Sequence, residues 1–280
     1  MKTAVISNLY NNILEFKHRS RLEEQFTRYS ERVNADFVNV TNVERTWMVD
    51  MLGKELVDPD AENDGKKYAQ LGKLDILDHA FGLGYDWVAW IDADVIFHSY
   101  ARNVFPGTLK KDTIYWLDKS MTLEAREKHG QGPAIFTQSL KKQYRKKYLK
   151  YGNMGLCVLH KSMWHKIKSG LRKYQSDPKS FFSPVEDMHK FQARIEQACL
   201  ALLFCRLDIK VDSHPENPMG DGSMIHLIGK NLPLVSEFIG APNNKRWWTS
   251  KVEIIDRLFD HCTKSPGNQS APDLDELFDH

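Results

Sequence analysis

The sequence predicts an α/β protein built on one central, mostly parallel sheet with helices on its flanks, and three observations lead there. The first is order. Up to residue 91 strand-like and helix-like segments alternate, the rhythm that crossover connections between parallel strands produce. The second is Trp87-Val-Ala-Trp-Ile91, a run apolar at every position, as expected of a strand covered on both faces. The third is the pair Asp92 and Asp94 directly after that run, two acids at the strand edge where open α/β sheets place their ligands.

Each element has its own warrant. Residues 3–6 are a short β-branched apolar run, read as a buried first strand, and the polar Ser7, Asn8, Asn11 and Asn12 after it make a loop at its C-terminal end. Over residues 14–34, Leu14, Phe16, Leu22, Phe26 and Tyr29 recur at roughly helical spacing among many charges, which predicts an amphipathic helix. Residues 35–40 read as a second strand. A polar, turn-rich loop over 58–65 precedes a helix over 68–81 with Leu71, Leu74, Ile76, Leu77 and Ala80 on one face, ended by Gly82 and Gly84.

Past the two aspartates the order is less regular. Strands are predicted at 113–117, 153–159, 209–211 and 224–228, and a helix at 186–203. The basic stretch over 141–150 reads as a solvated helix face, with a surface for an anionic acceptor or a membrane as the alternative. A Pro-, Gly- and Ser-containing linker begins after Thr263 and an acidic end comes after it, so the folded domain is expected to span 1–262 and residues 263–280 to form a flexible tail.

Composition narrows the class. The 280 residues are 41% hydrophobic and 27% charged, enough for a large buried core. A formal net charge of +2 supplies no global basic field of the kind a dedicated nucleic-acid binder uses, so charge-driven recognition must be local. Cys157, Cys199, Cys205 and Cys262 form no CxxC pair, which suits a reduced, cytoplasmic setting. The N-terminus passes directly into the first strand, too short an apolar run for a signal peptide, and no segment approaches the roughly 20 apolar residues that crossing a bilayer takes. Peripheral membrane contact stays open.

Chemistry centres on the two aspartates. Side chains two apart on an extended segment point the same way, so Asp92 and Asp94 can face one ligand. Two carboxylates so close repel, and burying them without a partner is costly. A divalent cation resolves the conflict, and it also stabilises the charge that builds up on a departing diphosphate. The alternative is that the pair only begins a loop by capping backbone N–H groups.

Asp92-Ala-Asp94 after an apolar strand resembles the DxD motif of glycosyltransferases with the GT-A fold, a Rossmann-like architecture with a mixed, mostly parallel sheet. Three further segments resemble the retaining branch that includes glycogenin and the bacterial lipopolysaccharide galactosyltransferases. Tyr151-Gly-Asn-Met-Gly-Leu156 is similar to the Asn-x-Gly strand beside the donor sugar, which implies a donor-side role for Asn153 and close approach at Gly155. Ile195-Glu-Gln-Ala198 resembles the Asp-Gln helix start, with Glu196 in place of aspartate ahead of Gln197. His226-Leu-Ile-Gly-Lys230 resembles the C-terminal His-x-x-Gly-x-x-Lys motif, although here Lys230 comes after Gly229 two positions early.

The resemblance implies metal ligation by Asp92, Asp94 and His226, with Mn²⁺ or Mg²⁺ as the cation and a UDP-linked sugar as the expected donor. It further implies donor contacts from Asn8 and Tyr10 at the first strand, from Lys73 to the phosphate, and from Ala93, Gly155, Gly229 and Lys230. Glu196, Gln197 and Asn153 would serve at the reacting centre, with a carbohydrate or glycoconjugate hydroxyl as acceptor. Retention is the implied outcome, whereas Glu196 acting as general base would suit inversion. Trp247 and Trp248 could stack on an acceptor sugar or anchor the C-terminal segment, and Glu186 and Asp187 could border the acceptor or simply open a helix. Two other functions fit a DxD pair: a phosphatase or phosphotransferase with Asp92 as nucleophile, and a non-catalytic sugar-nucleotide-binding module.

Overall fold

The computed structural model describes residues 1–8, 16–40, 43–56, 71–93, 95–98, 100–118, 152–183, 195–216, 218 and 223–226. Eight strands and six helices occur among them. In chain order these are β1 (Thr3–Ser7), α1 (Phe16–Arg32), β2 (Asp36–Asn39), α2 (Trp47–Leu56), α3 (Lys73–Gly82), β3 (Trp87–Ile91), β4 (Val95–Phe97), β5 (Thr113–Asp118) and β6 (Gly152–His160). Then come α4 (Lys161–Arg172), α5 (Pro178–Phe182), α6 (Ile195–Arg206), β7 (Lys210–Ser213) and β8 (Met224–His226).

Six strands form the main sheet in the order β2-β1-β3-β6-β5-β7, and β4 pairs with β8 in a separate two-stranded ribbon. β1 runs parallel to both β2 and β3, and β5 parallel to β7, while β6 lies antiparallel to β3 and to β5. This is the mixed, mostly parallel α/β architecture that the sequence predicts. One strand breaks the rule, because β6 enters the sheet from the opposite edge and leaves directly into α4.

Strand parity sorts the core onto two faces. Ala4, Ile6, Val88, Trp90, Ile114, Trp116, Cys157, Leu159 and Val211 share one cluster with the buried faces of α2 to α6. Val5, Trp87, Ala89, Ile91, Tyr115, Leu156 and Val158 share the other with Leu22, Phe26 and Tyr29 of α1 and with β4. Every residue of β3 is buried, as its unbroken apolar run predicts for a strand with neighbours on each side and helices above and below. Cys157, Cys199 and Cys205 are buried.

Boundaries differ from the expectations by a few residues, and for local reasons. The helix expected over 68–81 ends at Gly82, and Gly84 takes a φ of +87° that turns the chain into β3. The helix expected over 186–203 is described from Ile195 and continues to Arg206, because Phe204 and Cys205 carry the buried face onward. Three helices, α2, α4 and α5, and the short β4 have no counterpart in the sequence reading. Residues 58–65, 141–150, 186, 187, 247 and 248, Cys262 and the expected tail 263–280 lie outside the described residues. Among the described residues, no helix is long and apolar enough to cross a membrane.

Candidate functional site

β3 delivers Asp92 to the C-terminal edge of the sheet. By strand parity Asp92 continues the row of Val88 and Trp90, so its side chain faces the α3 side, where Lys73 opens the helix. The two meet: Lys73 Nζ lies 2.9 Å from Asp92 Oδ1, and their side chains are only 15% and 22% exposed. Trp90, two residues earlier on the same face, donates its indole Nε1–H to the same oxygen at 2.8 Å. The ammonium also sits 5.3 Å from the centroid of the Trp90 ring, within the range of a cation–π attraction.

The backbone of the tip is fixed from two sides. Asp92 N–H donates to the Gly155 carbonyl at 2.9 Å, extending the β3 and β6 pairing one step beyond Ile91 and Leu156. Val95 N–H donates to the Asp92 carbonyl at 3.1 Å, so the chain turns tightly through Ala93 before entering β4. β4 then pairs antiparallel with β8, and Val95 lies opposite His226 in the register. Gln25 of α1 donates its side-chain N–H to the Val95 carbonyl at 3.2 Å, which ties the start of β4 to the helix below it.

The ribbon rests on α1. Tyr29 stacks on Phe97 with centroids 4.2 Å apart and planes at 8°. Its hydroxyl donates to the Arg102 carbonyl at 2.7 Å and accepts from Val104 N–H at 3.1 Å. Burial pushes the Tyr29 phenol well above its ordinary range, so it stays a neutral donor and acceptor. At the neighbouring strand end, Ser7 is fully buried, and its Oγ has no hydrogen-bond partner among the described residues. Asn8 comes next, beside the end of β2, where Ser7 pairs with Asn39.

Of the residues that the sequence singles out, Asp92, Lys73, Ala93 and Gly155 therefore gather at one strand tip. His226 joins them through its backbone register, and Asn8 stands at the end of the adjacent strand. Asn153 lies in β6, paired with Leu117 just past an irregularity in the β5 register, and Glu196 and Gln197 begin α6. The side chains of Asn153, Glu196, Gln197 and His226, and all of Tyr10, Asp94, Gly229 and Lys230, lie outside the described residues. Trp90 enters the sequence reading only as part of the apolar run 87–91, yet it contacts both charged members of the tip. Its position two before Asp92 on an extended strand was the available signal.

A divalent cation suits these donors chemically. A carboxylate offers about four lone-pair sites, more than the two N–H donors described on Asp92 take, and oxygen ligands joined by an imidazole suit Mn²⁺ better than Mg²⁺. Among the described residues no three His, Cys, Asp or Glu side chains come together. Asp94 and the His226 side chain, the expected partners of Asp92, are not among them.

No family model matches the sequence, and no curated protein does. Among solved structures the chain is similar to a glycosyltransferase involved in the glycosylation of the major capsid of PBCV-1, with a TM-score of 0.47 and 10% identity over 91% of this chain and 99% of that one.

Proposed function

We propose that the chain is a glycosyltransferase that moves a sugar from a nucleoside diphosphate donor, UDP-linked, to a hydroxyl of a glycan or glycoconjugate, with a divalent cation at the donor. Convergence carries this reading. The tip of β3 holds Asp92 against Lys73 and Gly155, and the strand that continues from it lies in register with His226. Segments far apart in the chain, each singled out as part of one donor site, meet at a single sheet edge, the edge where such sheets bind ligands.

The residues divide the work by their chemistry. Asp92, with Asp94 and His226, would hold the cation, which when bound supplies Lewis-acid stabilisation to the departing diphosphate. Lys73 brings a positive charge to the same place, attractive to phosphate oxygens. Gly155, with no side chain, lets a sugar approach the backbone beside Asp92. Glu196 and Gln197 at the start of α6, with Asn153 on β6, are the residues for the reacting centre, and the family resemblance favours retention of the anomeric configuration.

The test is direct. Incubation with a panel of UDP, GDP and CMP sugars and Mn²⁺, with release of nucleotide as the readout, should single out a UDP sugar. Asp92→Ala and Asp94→Ala should lose both turnover and the melting-temperature rise that the donor gives with Mn²⁺. Equal stabilisation of the wild type and both variants would sink the site. Product NMR reads the anomeric outcome, and an inverted product would remove the likeness to the retaining branch.

A further inference from the structure

The Trp90 indole is the group that organises both charges at the β3 tip. Its N–H donates to Asp92 Oδ1 at 2.8 Å, and Lys73 Nζ reaches the same oxygen at 2.9 Å while lying 5.3 Å from the centre of the indole ring. The ring itself has little freedom. Trp90 is 4% exposed, its strand lies between β1 and β6, and it packs in one cluster with Ile6, Cys157 and Trp116, which share its level across the sheet.

That arrangement matters because an aspartate is otherwise ambiguous. Its two oxygens are chemically equivalent and the terminal torsion is broad and two-fold. Two N–H donors converging on Oδ1 set the plane of the carboxylate before any ligand arrives. Removing a group that orients a metal-binding side chain in this way typically costs about 10- to 100-fold in metal affinity.

The chain carries the same trio a second time. Trp164 Nε1–H donates to Asp78 Oδ1 at 2.8 Å and Lys168 Nζ reaches that oxygen at 2.6 Å, linking α4 to α3. Here the aspartate lies on a helix, away from the strand tip and from β8. The trio is thus a general way to tie an aspartate down, and its place at the sheet edge is what makes the first one consequential.

We infer that Trp90 is a positioning residue of the donor site, holding Asp92 through its indole N–H and Lys73 against its ring, so that the carboxylate meets the cation in one orientation. This rests on the reading of the tip as a site for a divalent cation and a nucleoside diphosphate. The second trio provides the control.

Mn²⁺ is titrated calorimetrically, in the presence of UDP, into the full chain as wild type, Trp90→Phe, Trp90→His, Asp92→Asn and Trp164→Phe, and each is first melted without ligand to establish that it folds. Trp90→Phe, which keeps the bulk of the ring and loses the N–H, should weaken Mn²⁺ binding by about tenfold. Trp90→His restores a ring N–H and should recover part of that loss. Trp164→Phe should lower the melting temperature and leave Mn²⁺ affinity unchanged.

A second measurement needs no tryptophan variant. In wild-type protein labelled with ¹⁵N at tryptophan, the indole N–H signal that Asp92→Asn displaces should also move when Mg²⁺ and UDP are added together, and a signal that stays still overturns the inference. Wild-type affinity in a folded Trp90→Phe chain also overturns it, while leaving the donor site standing if Asp92→Asn has lost binding. A wild type that takes up neither UDP nor Mn²⁺ removes the donor reading and this inference with it.

Discussion

The Lys73 ammonium and the Asp92 carboxylate stand 2.9 Å apart at the C-terminal end of the central strand, both largely shielded from solvent. Lys73 neutralises the acid locally, so a bare divalent cation approaching Asp92 meets a positive charge already in place. On the proposed function, a nucleoside diphosphate arriving with the cation would reverse that balance, because its phosphates are attracted to both. Mn²⁺ alone should therefore raise the melting temperature little, and Mn²⁺ with UDP should raise it by several degrees, since saturation at 100 times Kd is worth about 2.7 kcal/mol. Lys73→Met should split the two ligands, with tighter binding of Mn²⁺ alone and weaker binding of UDP. Calorimetric titration of each ligand separately reads this, and a variant that weakens both alike would show that Lys73 only holds the fold.

Tyr29 packs β4 onto α1 through its ring, stacked on Phe97, and its hydroxyl ties down the loop after β4 at two backbone groups, the Arg102 carbonyl and the Val104 N–H. Tyr29→Phe keeps the stacked ring on Phe97 and strands both backbone groups in a buried place. The cost of such unsatisfied groups is about 1–3 kcal/mol. Urea unfolding should show a lower midpoint with an unchanged slope, because the surface exposed on unfolding is the same. A midpoint equal to that of the wild type would mean that water reaches those groups.

Particular residues show what could be read in advance and what could not. β3 was legible because five consecutive apolar residues admit few readings other than a strand covered on both faces, and Asp92 then had to stand at its edge. Lys73 and Gly155 could be assigned to the same site only through resemblance, since nothing local in either segment points at Asp92. α2 escaped the reading because Met48, Val49, Met51 and Leu52 form a broad, short apolar face that periodicity alone does not separate from a buried strand. The signal for α4 was present, as Met163, Trp164, Ile167 and Leu171 recur at helical spacing. β4 has only three residues, too few for any pattern, and its pairing with β8 is a long-range choice that local sequence does not encode. Trp90 reads as core, which it is, while its indole N–H serves Asp92.

His214 ties the end of β7 to the loop after β4, with Nε2 3.0 Å from the Val104 carbonyl and Nδ1 accepting from Glu216 N–H at 3.3 Å. Burial pushes its pKa down, against smaller opposing effects from the Val104 carbonyl and Glu216. A base whose folded pKa lies below its unfolded value, about 6.5, binds its proton more readily when unfolded. Its contribution is complete above about pH 6.5 and declines as the pH falls toward the folded pKa. The melting temperature of the wild type should thus drop between pH 7 and pH 5 by more than that of His214→Gln, whose side chain does not titrate. Parallel pH profiles for the two proteins would remove His214 as the cause.

Gly170, on the buried side of α4, faces Leu207 so closely that a Cβ built on it would lie 2.5 Å from one Leu207 methyl and 2.7 Å from the other. Alanine gains about 1 kcal/mol of helix propensity over glycine, while contacts this short force Leu207 to move. The methyl groups are the far ends of a half-buried side chain, but its Cγ also stands 3.1 Å away, so a turn about χ2 alone, which leaves Cγ in place, does not clear the space. Displacing Leu207 from the core costs about 1–3 kcal/mol, which exceeds the propensity gain. Gly170→Ala should therefore destabilise the wild-type chain by about 1 kcal/mol, yet stabilise a chain that already carries Leu207→Ala, where only the helix term remains. A double-mutant cycle by urea unfolding measures the reversal, and the same sign in both backgrounds would show that α4 shifts bodily rather than Leu207 giving way.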